Sequence, residues 1–223
     1  LDVIRNKSSF NSKAYKVKQT GVGRRVFLVD NDDSFVHTLA NYFRQTGAEV
    51  ITYRHDFSWQ DFDKQNVDLV VLSPGPGSPK DFKLNNLIEQ ILKRKLPIFG
   101  VCLGLQAIVE YFGGKLLNLR EPVHGKSDLI KVCGGMLFSK LEQAFTVGRY
   151  HSLYAEKATM PKNLEISAQT SDGVVMAIES KQESIYAVQF HPETILSEDN
   201  NSGIKIIEQV MLLTDPKKDS HVA

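Results

Sequence analysis

Short runs of apolar residues recur in the first half of the chain without the polar alternation of a half-exposed strand. They lie within residues 26–29, 68–73 and 97–101. Runs of this kind are typical of strands that are buried on both faces, as in a parallel sheet. The pattern therefore predicts three parallel strands in the core of the protein.

Apolar residues at helical spacing separate these runs. The stripes consist of Phe35, Leu39 and Phe43; of Leu84, Leu87, Ile88 and Ile91; and of Leu105, Ile108, Val109 and Phe112. Asp33 or Ser34 is a suitable N-cap for the first helix, and Gly47 is suited to end it. Alternating strands and helices predict a doubly wound, mostly parallel α/β sheet of the flavodoxin-like type, with helices on both faces.

The second half of the chain is richer in predicted strands. Strand candidates occupy residues 129–132, 164–168, 174–178 and 185–190. Apolar residues at helical spacing over 204–211 predict a closing helix. Both ends of the chain are polar. We therefore predict a linker or N-terminal extension over residues 1–24, one domain over 25–214 and a flexible tail over 215–223.

The composition is that of an ordinary globular protein, and it argues against several classes of function. The 223 residues include 27 Lys plus Arg and 26 Asp plus Glu, which gives a formal net charge of +1. Because nucleic-acid and membrane-surface binders usually carry a basic excess, we expect neither nucleic acid nor a membrane as a partner. The sequence also lacks a membrane-spanning apolar run and the cysteines of a disulfide framework, and its polar first residues lead us to expect no signal peptide. We therefore expect a cytoplasmic protein.

The segment Gly100-Val101-Cys102-Leu103-Gly104 joins a predicted buried strand to a predicted helix. A residue at such a sharp turn projects from the backbone, and the helix N-terminus that follows supplies free N–H groups and favours anionic sulfur. An isolated cysteine is more often a small core residue. The elbow context reverses that preference and makes Cys102 a candidate nucleophile.

His191 follows a predicted buried strand and lies in the segment Phe190-His191-Pro192-Glu193. Pro192 favours an extended backbone at His191, and in an extended chain residues i and i+2 point the same way. Glu193 can therefore reach the imidazole and select its tautomer. By itself the segment is equally typical of a polar surface loop. With a cysteine elbow upstream, a Cys-His-Glu triad is the better interpretation.

A loop rich in proline and glycine, SPGPGSP at residues 73–79, follows the second predicted strand. In a doubly wound sheet such a loop lies at the carboxyl edge, where ligands bind, although its composition alone favours a rigid turn. It lacks the Gly-Lys-Ser or Gly-Lys-Thr ending of a phosphate-binding loop. Because the sequence also lacks the cysteine and histidine spacing of a zinc site, we expect no metal site.

These motifs, in this order, resemble those of the class I (triad) glutamine amidotransferases. The motifs that carry the resemblance are residues 28–35 (LVDNDDSF), 73–79 (SPGPGSP), 100–106 (GVCLGLQ), 124–126 (HGK), 150–153 (YHSL) and 189–193 (QFHPE). The resemblance extends from about Arg25 to Leu213, and within the class the chain is similar to the glutaminase component of anthranilate synthase. Residues 33–39 and 146–151 are most similar to the branch with the glutaminase at the C-terminus of a fused chain. We therefore expect an excised domain of such a fusion.

The resemblance implies that Cys102 is the nucleophile, that His191 is the acid and base, and that Glu193 orients His191. The other implied roles are oxyanion-hole donors at the backbone of Gly77 and Leu103, glutamine-binding residues at Gly75, Gln106, Ser152 and Leu153, and residues coupling to a partner at His124 and Gly125. The implied reaction hydrolyses L-glutamine to glutamate and ammonia through a cysteinyl thioester. The resemblance implies no cofactor in this domain, because Mg²⁺ would belong to the synthase.

The implied partner is a chorismate-using synthase, either a separate subunit or a fused N-terminal domain, which uses the ammonia to make anthranilate for tryptophan biosynthesis. One alternative is the glutaminase of aminodeoxychorismate synthase in folate biosynthesis, whose motifs are very similar. A second is a γ-glutamyl hydrolase, although residues 150–153 and 191–193 favour an amidotransferase. A third is an inactive regulatory module, against which the complete Cys102, His191 and Glu193 set argues.

Overall fold

Nine strands and five α-helices follow one another in this computed structural model, which describes residues 15–197 and 199–215. The strands are β1 (Arg25–Asp30), β2 (Glu49–Arg54), β3 (Leu69–Leu72), β4 (Ile98–Val101), β5 (Leu116–Val132), β6 (Ala144–Ala155), β7 (Glu165–Thr170), β8 (Val175–Ser180) and β9 (Ile185–Val188). The helices are α1 (Val36–Gln45), α2 (Trp59–Asp63), α3 (Leu84–Lys93), α4 (Leu103–Tyr111) and α5 (Ser202–Leu213). All strands belong to one sheet in the order β2-β1-β3-β4-β9-β8-β7-β5-β6.

The half of the sheet from β2 to β9 is parallel throughout. Successive residues of β1 point to opposite faces: Val26 and Leu28 pack with α1 and α5, whereas Phe27 and Val29 pack with α2, α3 and α4. Helices thus cover both faces, and every residue of β3 and β4 is buried. The predicted α/β fold class is confirmed, because apolar runs without alternation suit strands that have no solvent-facing side.

The half of the sheet beyond β9 is antiparallel, and it contains the longest strand pair. β5 has 17 residues and β6 has 12, yet the sequence pattern predicted only residues 129–132 of this hairpin. Much of β5 is exposed, and its pairing with β6 is interrupted between Asn118 and Val123 and between His124 and Lys126. Polar, irregular strands of this kind carry little periodic signal.

The edge strand β2 was not predicted, because its residues are exposed or half-buried. The start of α1 also differs from the prediction. Phe35, rather than Asp33 or Ser34, occupies the N-cap position, and the Asp33 carboxylate instead accepts a hydrogen bond from the Phe35 backbone N–H at 2.7 Å. Gly47 lies just beyond the C-cap with φ +86°, as its suitability for ending the helix predicted.

Residues 15–24, which we predicted as the end of a linker, lie against α5 in the structure. The Tyr15 hydroxyl donates to Glu208 Oε2 at 2.8 Å, and the Lys18 backbone N–H donates to Glu208 Oε1 at 2.7 Å. The buried Arg24 guanidinium donates to the backbone oxygen of Thr214 at 2.7 Å. This segment is therefore part of the folded domain. The remainder of the predicted linker and the tail after residue 215 lie outside the described residues.

Candidate active site

Cys102 lies on the sharp connection between β4 and α4. Its backbone adopts φ 52° and ψ −99°, a conformation that non-glycine residues rarely hold without surrounding support. Two hydrogen bonds supply that support: the Cys102 N–H donates to Val188 O at 2.8 Å, and the Cys102 carbonyl accepts from the Gln106 N–H at 3.1 Å. A Cβ on Gly104 would lie 2.5 Å from Leu72 O, so glycine is required where the helix crosses β3.

His191 lies three residues beyond the end of β9, and β9 pairs directly with β4 in parallel. Because parallel strands end at the same edge of a sheet, this pairing brings His191 to the elbow that carries Cys102. The His191 Nδ1 is 2.8 Å from Glu193 Oε1, and both residues are only 2% exposed. The predicted reach of Glu193 to the imidazole is therefore present in the structure.

The ionisation of His191 is set by opposing effects. Burial by itself lowers the pKa, but the nearby Cys102 thiol group and the Glu193 carboxylate outweigh it and raise the pKa of His191 to about 10. Nε2 makes no hydrogen bond of ordinary geometry in the described residues, although Cys102 is close enough to affect the ring. The raised pKa favours the protonated imidazole at neutral pH, in which Nε2 carries a hydrogen that can be donated to an atom in the cavity.

The backbone and ring of His191 are held on several sides. Its N–H donates to Gly148 O at 3.1 Å, and its carbonyl accepts from the Thr194 hydroxyl at 3.0 Å and the Ser197 hydroxyl at 2.7 Å. The rings of Phe35 and Tyr150 approach the imidazole with centroid distances of 5.3 and 5.2 Å. These contacts restrict the movement of the imidazole ring within the site.

The loop 73–79 is attached to the end of β1 through Asn31. The Asn31 backbone N–H donates to Ser73 Oγ at 3.0 Å, and the Asn31 side-chain amide donates to Ser73 O at 3.0 Å. Gly77 has φ +68°, and a Cβ there would lie 2.5 Å from Asp81 Oδ2. The loop therefore needs glycine at this position to keep its backbone next to the elbow.

The elbow, the loop and the β5/β6 hairpin enclose a cavity of about 460 Å³. Eight of the residues predicted to form the site line it: Gly75, Gly77, Cys102, Gln106, His124, Ser152, Leu153 and His191. The other three adjoin lining residues. Glu193 is buried against His191, Leu103 is the first residue of α4, and Gly125 follows His124 at the β5 irregularity with φ +66°.

His151 also lines the cavity, and it had no predicted role of its own. Its Nδ1 donates to Leu153 O at 2.9 Å, and its Nε2 accepts from Arg149 Nε at 3.1 Å. The Arg149 Nη1 in turn lies 2.5 Å from Asp128 Oδ2. Burial and the Arg149 charge lower the pKa of His151 to about 4, so the ring is neutral. Alternation in a strand, which points 149, 151 and 153 to one side, is the signal that could have identified this set.

Further cavity residues that were not predicted as site residues come from the segment after β1, from the loop 73–79 and from β6: Asp32, Asp33, Ser34, Phe35, Pro74, Pro76 and Tyr150. The Gln106 side chain connects two walls of the cavity, because its Nε2 donates to Leu153 O at 3.1 Å and to Gln189 Oε1 at 3.3 Å. Both of its N–H groups are thus used within the protein. Gln106 Oε1 remains as an acceptor for a ligand.

The cavity does not combine the side chains of a metal centre. Within the described ranges, no group of three or more His, Cys, Asp or Glu side chains is placed to hold a metal ion. None of the helices in that part of the chain has the length and apolar character needed to cross a bilayer. The cavity brings together the buried Cys102 thiol and the imidazole of His191, and the first residue of α4 adjoins it.

Comparison with known protein families agrees with this arrangement. Residues 27–208 match the family described as glutamine amidotransferase class-I. The chain belongs to this family. The resemblance stated from the motifs is therefore confirmed, and the amidotransferase fold expected from it is the one observed.

Relatives of this amidotransferase include proteins of two organisations. The chain is 54% identical to anthranilate synthase of Azospirillum brasilense over 191 residues, which covers 86% of this chain and 26% of that protein. It is 38% identical to anthranilate synthase component 2 of Cyanophora paradoxa over 185 residues, which covers 82% of this chain and 96% of that protein. The chain thus spans about a quarter of one relative and nearly all of the other.

A solved structure shares the fold of this amidotransferase at low sequence identity. The crystal structure of a glutamine amidotransferase from Thermotoga maritima matches with a TM-score of 0.67 and 15% identity. The match covers 86% of this chain and 98% of that one. The two chains therefore share a fold although few of their aligned residues are identical.

Proposed function

We propose that this chain is the glutaminase of an anthranilate synthase and that it hydrolyses L-glutamine to glutamate and ammonia. The observation that carries the proposal is the meeting of Cys102, on a strained elbow, with a cationic His191 paired to Glu193 in one cavity. A thiol and an imidazole arranged in this way suit attack on an acyl carbon.

The first step is attack of the Cys102 sulfur, as thiolate, on the side-chain carbonyl carbon of glutamine. The carbonyl π bond opens, and negative charge develops on the oxygen. The backbone N–H of Leu103, as the first residue of α4, has no acceptor within its own helix and can stabilise that charge together with the N–H of Gly77. Loss of one such donor typically costs roughly 3–4 kcal/mol of transition-state stabilisation.

The second step breaks the carbon–nitrogen bond. His191 transfers its Nε2 proton to the nitrogen, which leaves as ammonia, and a γ-glutamyl thioester on Cys102 remains. His191, now neutral, then removes a proton from water as the water attacks the thioester carbon. Glutamate leaves, and the thiolate and imidazolium are restored. Glu193 holds Nδ1 of the ring throughout, which keeps Nε2 directed at the reacting atoms.

Glutamine would be held at its amino-acid end by polar groups on opposite walls of the cavity. Gln106 Oε1 suits the α-ammonium group, because the Gln106 N–H groups are already used. Ser152 and Leu153, together with Gly75, supply further polar groups in the same cavity. Gln106 is buried and Gly75, Ser152 and Leu153 are half-buried, so a substrate that lacks the ammonium group should bind less tightly.

The ammonia is proposed to serve a chorismate-using synthase, either as a separate chain or as a fused domain. His124 reaches the cavity from the exposed strand β5, and Gly125 forms part of the irregularity next to it. A partner bound to this hairpin would contact residues that also line the cavity. Binding of the synthase could therefore alter the site at which glutamine is hydrolysed. Relatives named as anthranilate synthases, in separate and longer forms, favour this role over aminodeoxychorismate synthesis.

The test of the glutaminase proposal is labelling with a diazo-ketone analogue of glutamine, followed by peptide mass analysis. We expect label on Cys102, protection by free glutamine and no label on the exposed Cys133, which serves as an internal control. Absence of label at Cys102 in the folded protein, alone and with a chorismate-loaded synthase, would contradict the proposal and favour an inactive module. Release of glutamate from γ-glutamyl peptides would favour a hydrolase instead.

The test of the partner is reconstitution with separate anthranilate and aminodeoxychorismate synthases. With glutamine as nitrogen donor, anthranilate should form, and the chorismate-loaded synthase should accelerate glutamine hydrolysis about 5- to 150-fold. Product formation only with aminodeoxychorismate synthase would replace the tryptophan assignment with the folate one. An unchanged hydrolysis rate would remove the proposed coupling through His124 and Gly125.

A further inference from the structure

Gln189 lies between the end of β9 and His191, and its side chain is fully buried beside the nucleophile. Its backbone N–H donates to Met176 O at 2.8 Å, which anchors the residue to β8. Its side-chain Nε2 lies 3.5 Å from the Cys102 sulfur, within hydrogen-bonding distance for a sulfur acceptor. The mechanism described above makes no use of this contact.

The orientation of the Gln189 amide is determined by its neighbour. Gln189 Oε1 accepts from Gln106 Nε2 at 3.3 Å, and Gln106 Nε2 also donates to Leu153 O at 3.1 Å. A flipped Gln189 amide would place its N–H groups against those of Gln106 and its oxygen against the sulfur. The chain of contacts therefore directs the Gln189 N–H at Cys102.

We propose that Gln189 is a positioning residue that holds the Cys102 sulfur in its reactive place and stabilises its thiolate through the Nε2 N–H. This inference rests on the proposed function, because it concerns the same nucleophile. A hydrogen bond to anionic sulfur is stronger than one to a neutral thiol, so the donor favours the charged form. Gln106 contributes by fixing the direction in which Gln189 donates.

The titratable groups that share the cavity with Cys102 are Asp32, Asp33, His124, Tyr150, His151 and His191. His191 supplies the positive charge that faces the sulfur, and Glu193 acts on the sulfur through that ring. Gln189 is neutral at every pH. Its removal should therefore shift the pH at which the thiolate forms without adding a new titration to the profile.

The test is the rate at which iodoacetamide alkylates Cys102 between pH 5 and 10, followed by peptide mass analysis. Gln189→Met keeps the length of the side chain but removes the donor, and Gln189→Asn keeps the amide but is one methylene too short to join Gln106 to Cys102. For both variants we expect alkylation at pH 7 to slow about tenfold and the midpoint of the profile to move to higher pH.

Gln209→Met is the matched control, because Gln209 is also buried but donates from Nε2 to Met136 O and Ser139 Oγ, each at 3.0 Å. It should leave Cys102 alkylation unchanged, and Cys133 should react equally in every variant. An unchanged Cys102 profile in a folded Gln189 variant would overturn the proposal. So would loss of folding in both Gln189 variants, since the role would then be structural. Because alkylation by iodoacetamide needs no glutamine, this experiment tests the role of Gln189 even if the chain does not hydrolyse glutamine.

Discussion

Two buried histidines, His191 and His151, line the same cavity and are held in opposite charge states. His191 faces a carboxylate and a thiol, and its pKa is raised to about 10. His151 faces the Arg149 cation, and burial together with that charge lowers its pKa to about 4. Both are almost fully buried, so burial alone cannot explain the difference. Because burial lowers the pKa of both rings, the opposite directions come from their neighbours: Glu193 and Cys102 outweigh burial at His191, whereas Arg149 adds to the effect of burial at His151. At neutral pH only His191 therefore carries a proton on Nε2 that it can transfer.

The two histidines should differ most in how strongly their replacement lowers glutamine turnover. His191→Asn should lower glutamine turnover about 10²- to 10⁴-fold, because it removes the group that donates and accepts the proton. His151→Asn should lower turnover far less, because a neutral ring whose two nitrogens are already hydrogen-bonded has no proton to transfer. Glutamate release at pH 7 measures both. Equal losses of turnover in the two variants would contradict the prediction that only His191 transfers a proton.

The next effect is on stability, and its sign differs between the rings. The folded-state pKa of His151 is depressed, so its contribution to the unfolding free energy is present above pH 6.5 and is lost as the pH falls toward 4. That contribution is about 3 kcal/mol. The folded-state pKa of His191 is raised, so its contribution is present below pH 6.5 and is lost as the pH rises toward 10.

Urea unfolding of the wild type and of the two single variants across pH 4–10 checks these signs. His151→Asn should flatten the acid side of the stability curve, and His191→Asn should flatten the alkaline side. Two unchanged curves, or an effect of each variant on the other side of the curve, would contradict the charge states assigned to the two rings. Cys133, which is exposed, should be kept reduced so that it does not form disulfides between molecules.

A smaller effect is expected from Arg149, whose charge contributes to the lowered pKa of His151. Arg149→Leu should raise the pKa of His151 part of the way toward 6.5, because it removes the nearby charge and the donor to Nε2 but leaves the ring buried. It should also lower the unfolding free energy by about 1–3 kcal/mol, since buried groups lose a partner. Arg149→Lys, which keeps the charge, is the matched control and should keep most of the pKa depression. NMR titration of the ring protons measures both variants.

The smallest effect tests the partner of the other ring. Glu193→Gln should lower the pKa of His191, because it removes the carboxylate charge at Nδ1 but keeps an oxygen in place. We expect about a tenfold fall in glutamine turnover at pH 7, because Nδ1 loses the carboxylate that stabilises and orients the imidazolium. The His151 resonance should titrate as in the wild type. A His191 titration that is unmoved would assign the raised pKa to Cys102 alone.

The two halves of the sheet differ in how well the sequence predicted them. β3 and β4 are short apolar runs buried on both faces, and each was predicted within a residue or two of its bounds. Most of the β5/β6 hairpin was missed, because its residues alternate irregularly and its pairing is interrupted near His124. Residues 15–24 were predicted as linker, because a polar segment gives no sign of the Glu208 carboxylate that receives it.

The order of motifs along the chain by itself determined the family, the fold class and the candidates for the triad. These depend on local features: an elbow flanked by glycines, a histidine and a glutamate two residues apart, and buried runs between helices. Only the tertiary structure showed that both histidines are buried at one cavity and that Cys102 lies beside His191, because these placements depend on how β6 and the segment after β9 pack together. Ionisation follows the resulting distances, which place Arg149 at His151 and Glu193 at His191. The same packing directed Gln189 at the sulfur.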